Sequence, residues 1–374
     1  MGLLTTEKTT GTAASDVLLV GDGPSACVAA LALMEAGARV RLLGPGKPTT
    51  SRAHLGQCLP PAGLTWMRAL GLESSFRALA PRRIVSHESV WGSPHVDTRE
   101  MIASAHGPSW LLDRAKFDGM MRESVRASGA EAVEGRLVSV ERTGSKWNYT
   151  FRTRAGHETG HASFLLDASG RNSIAARKLG AHRLRADRLI SVPMVVRSEL
   201  NTDLDDTTRL EANEDGWFFS CRISASERLI SFYTDSDLLP ASIDARKKKI
   251  EYLLGQSDHL SDRMEHHSYS ALDPQSLVPA HGSLLDPLGG EGWLATGEAA
   301  LCHDPLCGDG IIEAMNSARH AARALVSAAN GDSNAFVEYK DQGRERFKNY
   351  QLTLRSYYAL EMRWRNHAFW KRRS

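Results

Sequence analysis

The sequence predicts an α/β fold: a Rossmann-like parallel-sheet domain, an inserted antiparallel-sheet domain and a C-terminal helical segment. Three observations predict it. Strand, glycine turn, helix and strand follow one another between Asp16 and Leu43, the βαβ order that gives a right-handed parallel crossover. A strand-rich block, residues 190–233, then breaks the α/β rhythm with alternating polarity. Far downstream a second glycine-rich turn opens another long helical pattern.

Residues 16–20 are a β-branched and leucine run, ended by Gly21-Asp22-Gly23-Pro24-Ser25-Ala26. An alanine-rich helical pattern continues to Ala36 and stops at Gly37, and residues 40–43 form the second strand. Residues 64–79 and 114–129 read as helices. Strands at 137–142, 147–154 and 161–167, separated by Gly and Ser turns, read as a meander beside the first sheet. Within 190–233, alternation at 217–223 and 229–233 predicts antiparallel strands with one wet face, interrupted by the polar loop 201–206. A strand at 293–296 and a helix at 311–329 follow. Residues 15–85, 99–183 and 278–332 are thus expected to form the first domain, and 86–98 with 184–277 the second, substrate-facing one. Residues 1–14 are expected to be a disordered leader and 333–374 a C-terminal helical segment, with Tyr358, Met362, Arg365 and Phe369 on one amphipathic face.

The charge balance excludes some partners. Lys plus Arg number 46 against 44 Asp plus Glu, and a net charge of +2 makes no field that would recruit nucleic acid or acidic lipid. No signal peptide opens the chain and no run of ~18 apolar residues interrupts it, so no membrane partner is expected. Cys27, Cys58, Cys221, Cys302 and Cys307 are scattered among apolar neighbours rather than spaced as a disulfide or metal framework. A reducing, cytoplasmic setting and no metal follow as expectations.

Two turns carry the chemistry. In Gly21-x-Gly23-x-x-Ala26 the glycines, with Pro24 and Ser25 between strand and helix, let backbone N–H groups approach a pyrophosphate, and Ala26 lets helix and strand pack closely. The acidic residue that would end the second strand and hold the ribose hydroxyls is missing, because the sequence there reads Leu43-Gly44-Pro45-Gly46. The second turn, Gly297-Glu298-Ala299-Ala300-Leu301-Cys302-His303-Asp304-Pro305-Leu306-Cys307-Gly308-Asp309-Gly310-Ile311, ends on free N–H groups and the positive end of a helix dipole.

These turns resemble the first and last fingerprints of flavoprotein aromatic hydroxylases of the para-hydroxybenzoate hydroxylase type, and Asp167-Ala168-Ser169-Gly170-Arg171 resembles the middle one. Leu111-Leu112-Asp113-Arg114-x-x-Phe117-Asp118 resembles the segment whose arginine lies along the flavin's ribityl and phosphate chain. Nearer still is the branch of tryptophan halogenases and of flavoproteins that mature tryptophylquinone cofactors. Gly56-Gln57-Cys58-Leu59-Pro60-Pro61 resembles its strap across the flavin, with Gln57 for the customary Glu. The resemblance implies FAD, contacted by Gly21, Gly23, Pro24, Ser25, Ala26, Arg52, Gln57, Arg114 and Asp167. Glu298, Asp304, Pro305, Gly308, Gly310 and Ile311 complete the implied set.

Halogenases of this branch carry a pocket lysine, which counting from Gly56 puts near Ser86, yet no lysine occurs between Lys47 and Lys116. Their Trp-x-Trp-x-Ile-Pro segment corresponds to Trp217-Phe218-Phe219-Ser220-Cys221-Arg222, which keeps the first tryptophan alone. The expectation is therefore a monooxygenase that uses O2 to hydroxylate a phenol, an indole or a peptide-borne tryptophan through a C4a-hydroperoxyflavin. Reduction would come from NAD(P)H directly or from a partner flavin reductase. A halogenase, a geranylgeranyl-type reductase and a non-catalytic scaffold remain as alternatives. His87, Glu88 and Trp217 are the candidate catalytic residues, with His303 a rival, and Pro305, Phe219 and Phe232 further candidate pocket walls.

Overall fold

The structure is a computed structural model that describes residues 13–46, 55–104, 107–274 and 276–373. Its centre is a parallel sheet in which Trp293–Ala295, His157–Asp167, Ala13–Val20, Val40–Gly44 and Glu131–Glu134 lie side by side in that order. The runs that build it are apolar on both faces because helices and further strands cover both. On one side Val28, Leu33, Met121, Met315 and Leu325 pack against Val17 and Leu19; on the other, Trp147, Phe151, Leu285 and Trp293 pack against Leu18 and Leu165. Ala26, Ala29 and Ala30 of the Pro24–Glu35 helix and Ala318 and Ala321 of the Gly310–Ala329 helix are fully buried, so two backbones approach closely over the same face. The meander is present as Arg136–Thr143 and Lys146–Arg152, antiparallel to the start of His157–Asp167. The first strand begins at Ala13, inside the expected leader, whose first twelve residues lie outside the described ones.

The predicted helix at 64–79 is two helices, Ala62–Ala69 and Glu73–Ala78, because Gly71 adopts φ +70° between them.

The second sheet has seven strands, in the order Val278–Pro279, Leu189–Arg197, Glu227–Asp235, Gly216–Arg222, Thr207–Asn213, Ser86–Val90 and Asp97–Glu100. It is antiparallel except where Ser86–Val90 runs parallel to Thr207–Asn213. Alternation sorts its side chains by face. Phe218, Phe232, Val192 and Ile230 meet the helices Ile243–Gly255 and Asp258–His266, whereas Trp217, Phe219, Tyr233 and Leu210 meet the C-terminal segment and the first domain. The sequence reading found neither helix, although Ser242 as a cap and Ile250, Leu253 and Leu254 on one face signal the first of them.

The C-terminal helix runs Ala335–Ala359, and the expected amphipathic face does not continue beyond it. Met362 and Arg365 are exposed, and Tyr358, Phe369 and Trp370 make the contacts instead. Backbone and side chain both fasten this segment to the second sheet. Trp91 Nε1 donates to the Tyr357 carbonyl at 2.8 Å, Trp370 Nε1 to the Asn213 carbonyl at 2.8 Å, and Arg373 to the buried Asp235 carboxylate at 2.6 Å.

Candidate functional site

All five parallel strands point their C-terminal ends to one edge, where Val20 is level with Leu43 and Asp167, and Asp167 with Ala295. That edge is where open α/β sheets bind ligands. The register brings three sequence-remote turns into contact. Gly21 has φ +121°, and a Cβ there would lie 2.2 Å from the Ala168 carbonyl oxygen. Gly297 has φ +58°, and its Cβ would lie 2.6 Å from Ser25 Oγ. Only glycine meets both demands at these positions.

Two helices begin beside this junction with N–H groups that no side chain caps. Gly23 precedes Pro24 at the first, where the missing proline N–H costs nothing. Asp309 precedes Gly310 and Ile311 at the second, but its carboxylate is bonded to His303 Nδ1 at 2.9 Å instead of to the helix. A Cβ on Gly23, Gly308 or Gly310 would meet no atom within 4 Å, so backbone is open to approach at both helix starts.

The other expected contacts gather around them. The strap enters through Gly56 (φ +72°), whose Cβ would strike Leu229, Cys221 and Phe219 of the second sheet. Arg114, itself chelated by Asp118 at 2.9 and 3.0 Å, donates to Gln57 Oε1 and so ties the strap to the Arg114–Ala127 helix. Glu298 pairs with Arg171 at 3.2 Å, joining the middle and last motifs. Arg52 lies outside the described residues. Asp167 is fully buried, and its carboxylate accepts from Ser169 N–H (3.0 Å), Ser169 Oγ (2.5 Å) and Ala176 N–H (2.7 Å). It shapes its own turn and caps a short helix rather than facing the open edge. Asp304 is likewise 1% exposed, accepting from Leu306 N–H at 2.9 Å and Tyr358 Oη at 2.8 Å, beneath the exposed Pro305. Sequence reasoning missed Tyr350, which accepts from Asp304 N–H at 2.7 Å and stacks on His303, and Tyr358; both come from a helix with no motif.

The family model for the FAD binding domain matches residues 14–350. The chain belongs to that family. FAD is the cofactor, and the residues present fit it: two glycine-opened helix starts for its phosphates and ring, and at the first turn the buried Ser25 Oγ, which has no hydrogen-bond partner among the described residues. LodB of Marinomonas mediterranea is 27% identical over 96% of both chains. The myxobacterial chondrochloren halogenase CndH superposes with TM-score 0.83 at 19% identity, over 96% of this chain and 86% of that one. Peptidyl tryptophan dihydroxylase QhpG, essential for tryptophylquinone cofactor biogenesis, superposes with TM-score 0.77 at 21% identity, over 96% and 79%. The protein is an FAD-dependent oxidoreductase, and both hydroxylases and halogenases share its fold.

The three catalytic candidates of this flavoenzyme do not meet. His87 and Glu88 are successive on one strand and therefore point to opposite faces. Glu88 pairs with Arg209 at 2.7 Å beneath the Asp258–His266 helix, away from the first domain. His87 lies on the face toward it, its ring nitrogens 2.6 Å from Thr208 Oγ1 and 3.0 Å from Ser109 Oγ. Burial, then the charge of Arg99, lowers its pKa and keeps the imidazole neutral. Trp217 is 1% exposed, stacked on Tyr233 at 3.9 Å and donating to Tyr358 Oη at 3.2 Å. It is packed under the C-terminal segment. Phe232 faces the helices, whereas Phe219 lies beside Gly56 on the first-domain side.

Burial pushes the Asp304 carboxyl up to about 6. The folded state then holds this proton more tightly than the unfolded chain does, so the contribution to stability falls as pH rises from about 4 to about 6. Asp304→Asn is expected to flatten that part of the stability profile. Urea midpoints of both proteins across this range check it, and parallel profiles would remove Asp304 as the source.

Proposed function

We propose that this flavoprotein hydroxylates an electron-rich aromatic ring, with a tryptophan carried on a polypeptide as the favoured substrate and a free phenol or indole as the other candidates. One observation carries the choice of oxygen over halogen. None of the seven strands of the second sheet contains a lysine, including the Ser86–Val90 strand near whose start the pocket lysine of the resembling halogenases is expected. The reported activity of QhpG on peptidyl tryptophan favours the polypeptide substrate.

FAD, reduced by NAD(P)H or by a partner reductase, supplies the activated oxygen. The chain's own residues bind and enclose. Residues 86–98 with 184–277 act as the substrate domain, whose face bearing Phe219 and Leu229 closes against the strap at Gly56 and keeps water out. His87, neutral and set between two hydroxyls, is the group on that face able to accept a proton from a substrate N–H or O–H. Five free thiols suit a reducing cytoplasm.

The test is product mass. Incubation of the reduced holoprotein in air and halide salt with phenols, indoles and tryptophan-bearing peptides should add one oxygen to one of them. Replacement of a hydrogen by halogen would overturn the reading in favour of halogenation, and gain of two hydrogens in favour of alkene reduction. A chain that takes up no FAD would be a scaffold.

A further inference from the structure

The second strand of the parallel sheet ends on Gly44, where FAD-binding folds of this kind place an acidic side chain for the adenosine ribose. The structure shows what stands there instead. A Cβ on Gly44 would lie 2.4 Å from Cβ and Cγ of Asp22 and 2.8 Å from its Oδ2. No side chain can leave the strand end at this position while Asp22 keeps its place, and the carboxylate that fills the space comes from the neighbouring turn. It is not a loose surface acid. Oδ2 accepts from Gly46 N–H at 2.8 Å, and Gly46, at φ +67°, is pressed so close to Glu134 that a Cβ would fall 2.2 Å from its Cγ. Asp22 thus lines a crevice between the ends of the second and Glu131–Glu134 strands, lined also by Val133, Glu134, Arg122 and Arg126.

We propose that Asp22, in the first glycine turn, holds the adenosine ribose hydroxyls of FAD in place of the acid absent from the end of the second strand. The exchange is reciprocal. A carboxylate at 22 demands glycine at 44, and glycine at 44 leaves the strand end without the usual acid, whose space the Asp22 carboxylate fills. Gly46 fixes one carboxylate oxygen, the other would accept from a ribose hydroxyl, and a charge-assisted bond of that kind changes affinity by roughly 10- to 100-fold. The proposal rests on FAD binding alone and is independent of what the flavin does to its substrate.

Flavin fluorescence titration of the full-length apoprotein tests it with two ligands, FAD and FMN, since FMN has no adenosine. Asp22→Ala should weaken FAD by roughly 10- to 100-fold and leave FMN within about twofold. Gly44→Glu alone should also weaken FAD, through the clash with Asp22, and Asp22→Ala combined with Gly44→Glu should recover most of the loss by restoring the usual arrangement. Should Asp22→Ala not fold, Asp22→Asn keeps an oxygen for Gly46 N–H while removing the charge, and FAD should still weaken selectively. Unchanged FAD binding in the variant that folds, or equal losses for FAD and FMN with no recovery in the double variant, would overturn the assignment.

Discussion

A Gly21→Ala variant is expected to purify without flavin. The added methyl would point at backbone, 2.2 Å from the Ala168 carbonyl oxygen and 2.6 Å from its carbon, where no flexible side chain can swing aside. At φ +121° an L-residue is also strained, by ~1–3 kcal/mol, and overpacking adds a similar ~1–3 kcal/mol. Relief requires the first turn to move away from the middle motif, which separates the two segments that the shared edge holds together. Loss of even half that energy from binding weakens FAD by on the order of 10- to 100-fold. The ratio of flavin to protein absorbance reads the result directly. Gly71→Ala is the matched control: its φ is also positive, at +70°, but its Cβ would meet nothing within 4 Å. That variant should keep its flavin, and a Gly21→Ala protein carrying a full complement of FAD would show that the junction tolerates what its geometry forbids.

The same junction explains why the fold was legible in the sequence. Gly21 and Gly297 are required by backbone conformation and close approach and Gly308 by conformation alone, demands that depend on residue type, so the turns announce themselves. The strand runs between them are buried on both faces and read as continuous apolar stretches. Legibility fails where two faces or two elements must be matched. His87 and Glu88 looked like one acid–base pair until their alternation on a strand, a rule available from the sequence, is applied. Phe219 and Phe232 needed the register between strands, in which Phe219 opposes Ser231 and Phe232 opposes Phe218. Asp304 is read from its motif alone, whereas Tyr350 and Tyr358, which bond its backbone and carboxylate, arrive from a helix some 50 residues later. The loop at 201–206 is present as its polar character predicts, yet it contains one of the most deeply buried charges among the described residues, which polarity alone does not signal.

That charge is Asp203, and Asp203→Ala should be among the most destabilising single changes in the chain. Its side chain is 0% exposed and that of its partner Arg228 1%, with Arg228 Nε donating at 2.8 Å and Tyr269 Oη at 2.5 Å to the same carboxylate oxygen. The other oxygen accepts from Asp205 N–H at 3.0 Å, so one carboxylate folds the loop and neutralises a guanidinium inside the sheet. Ser220 Oγ and the Asp205 carbonyl also accept from Arg228, and the one other countercharge among the described residues, Asp205 Oδ2 at 3.6 Å, is partly exposed and shared with Arg263. Removing the acid leaves a buried cation with only this longer, shared pair, a loss of up to ~3–5 kcal/mol. Urea unfolding should show a loss of that order, and Asp203→Asn a smaller one, since the amide keeps the shape and one acceptor. Replacing both partners by apolar residues, Asp203→Leu with Arg228→Met, should recover most of the loss, because the desolvation penalty goes with the pair. FAD binding at low temperature should survive in all three, as the parallel sheet and its turns touch none of these residues. A single variant within about 1 kcal/mol of the parent would mean that the pair is solvated and that its burial does not govern the second sheet.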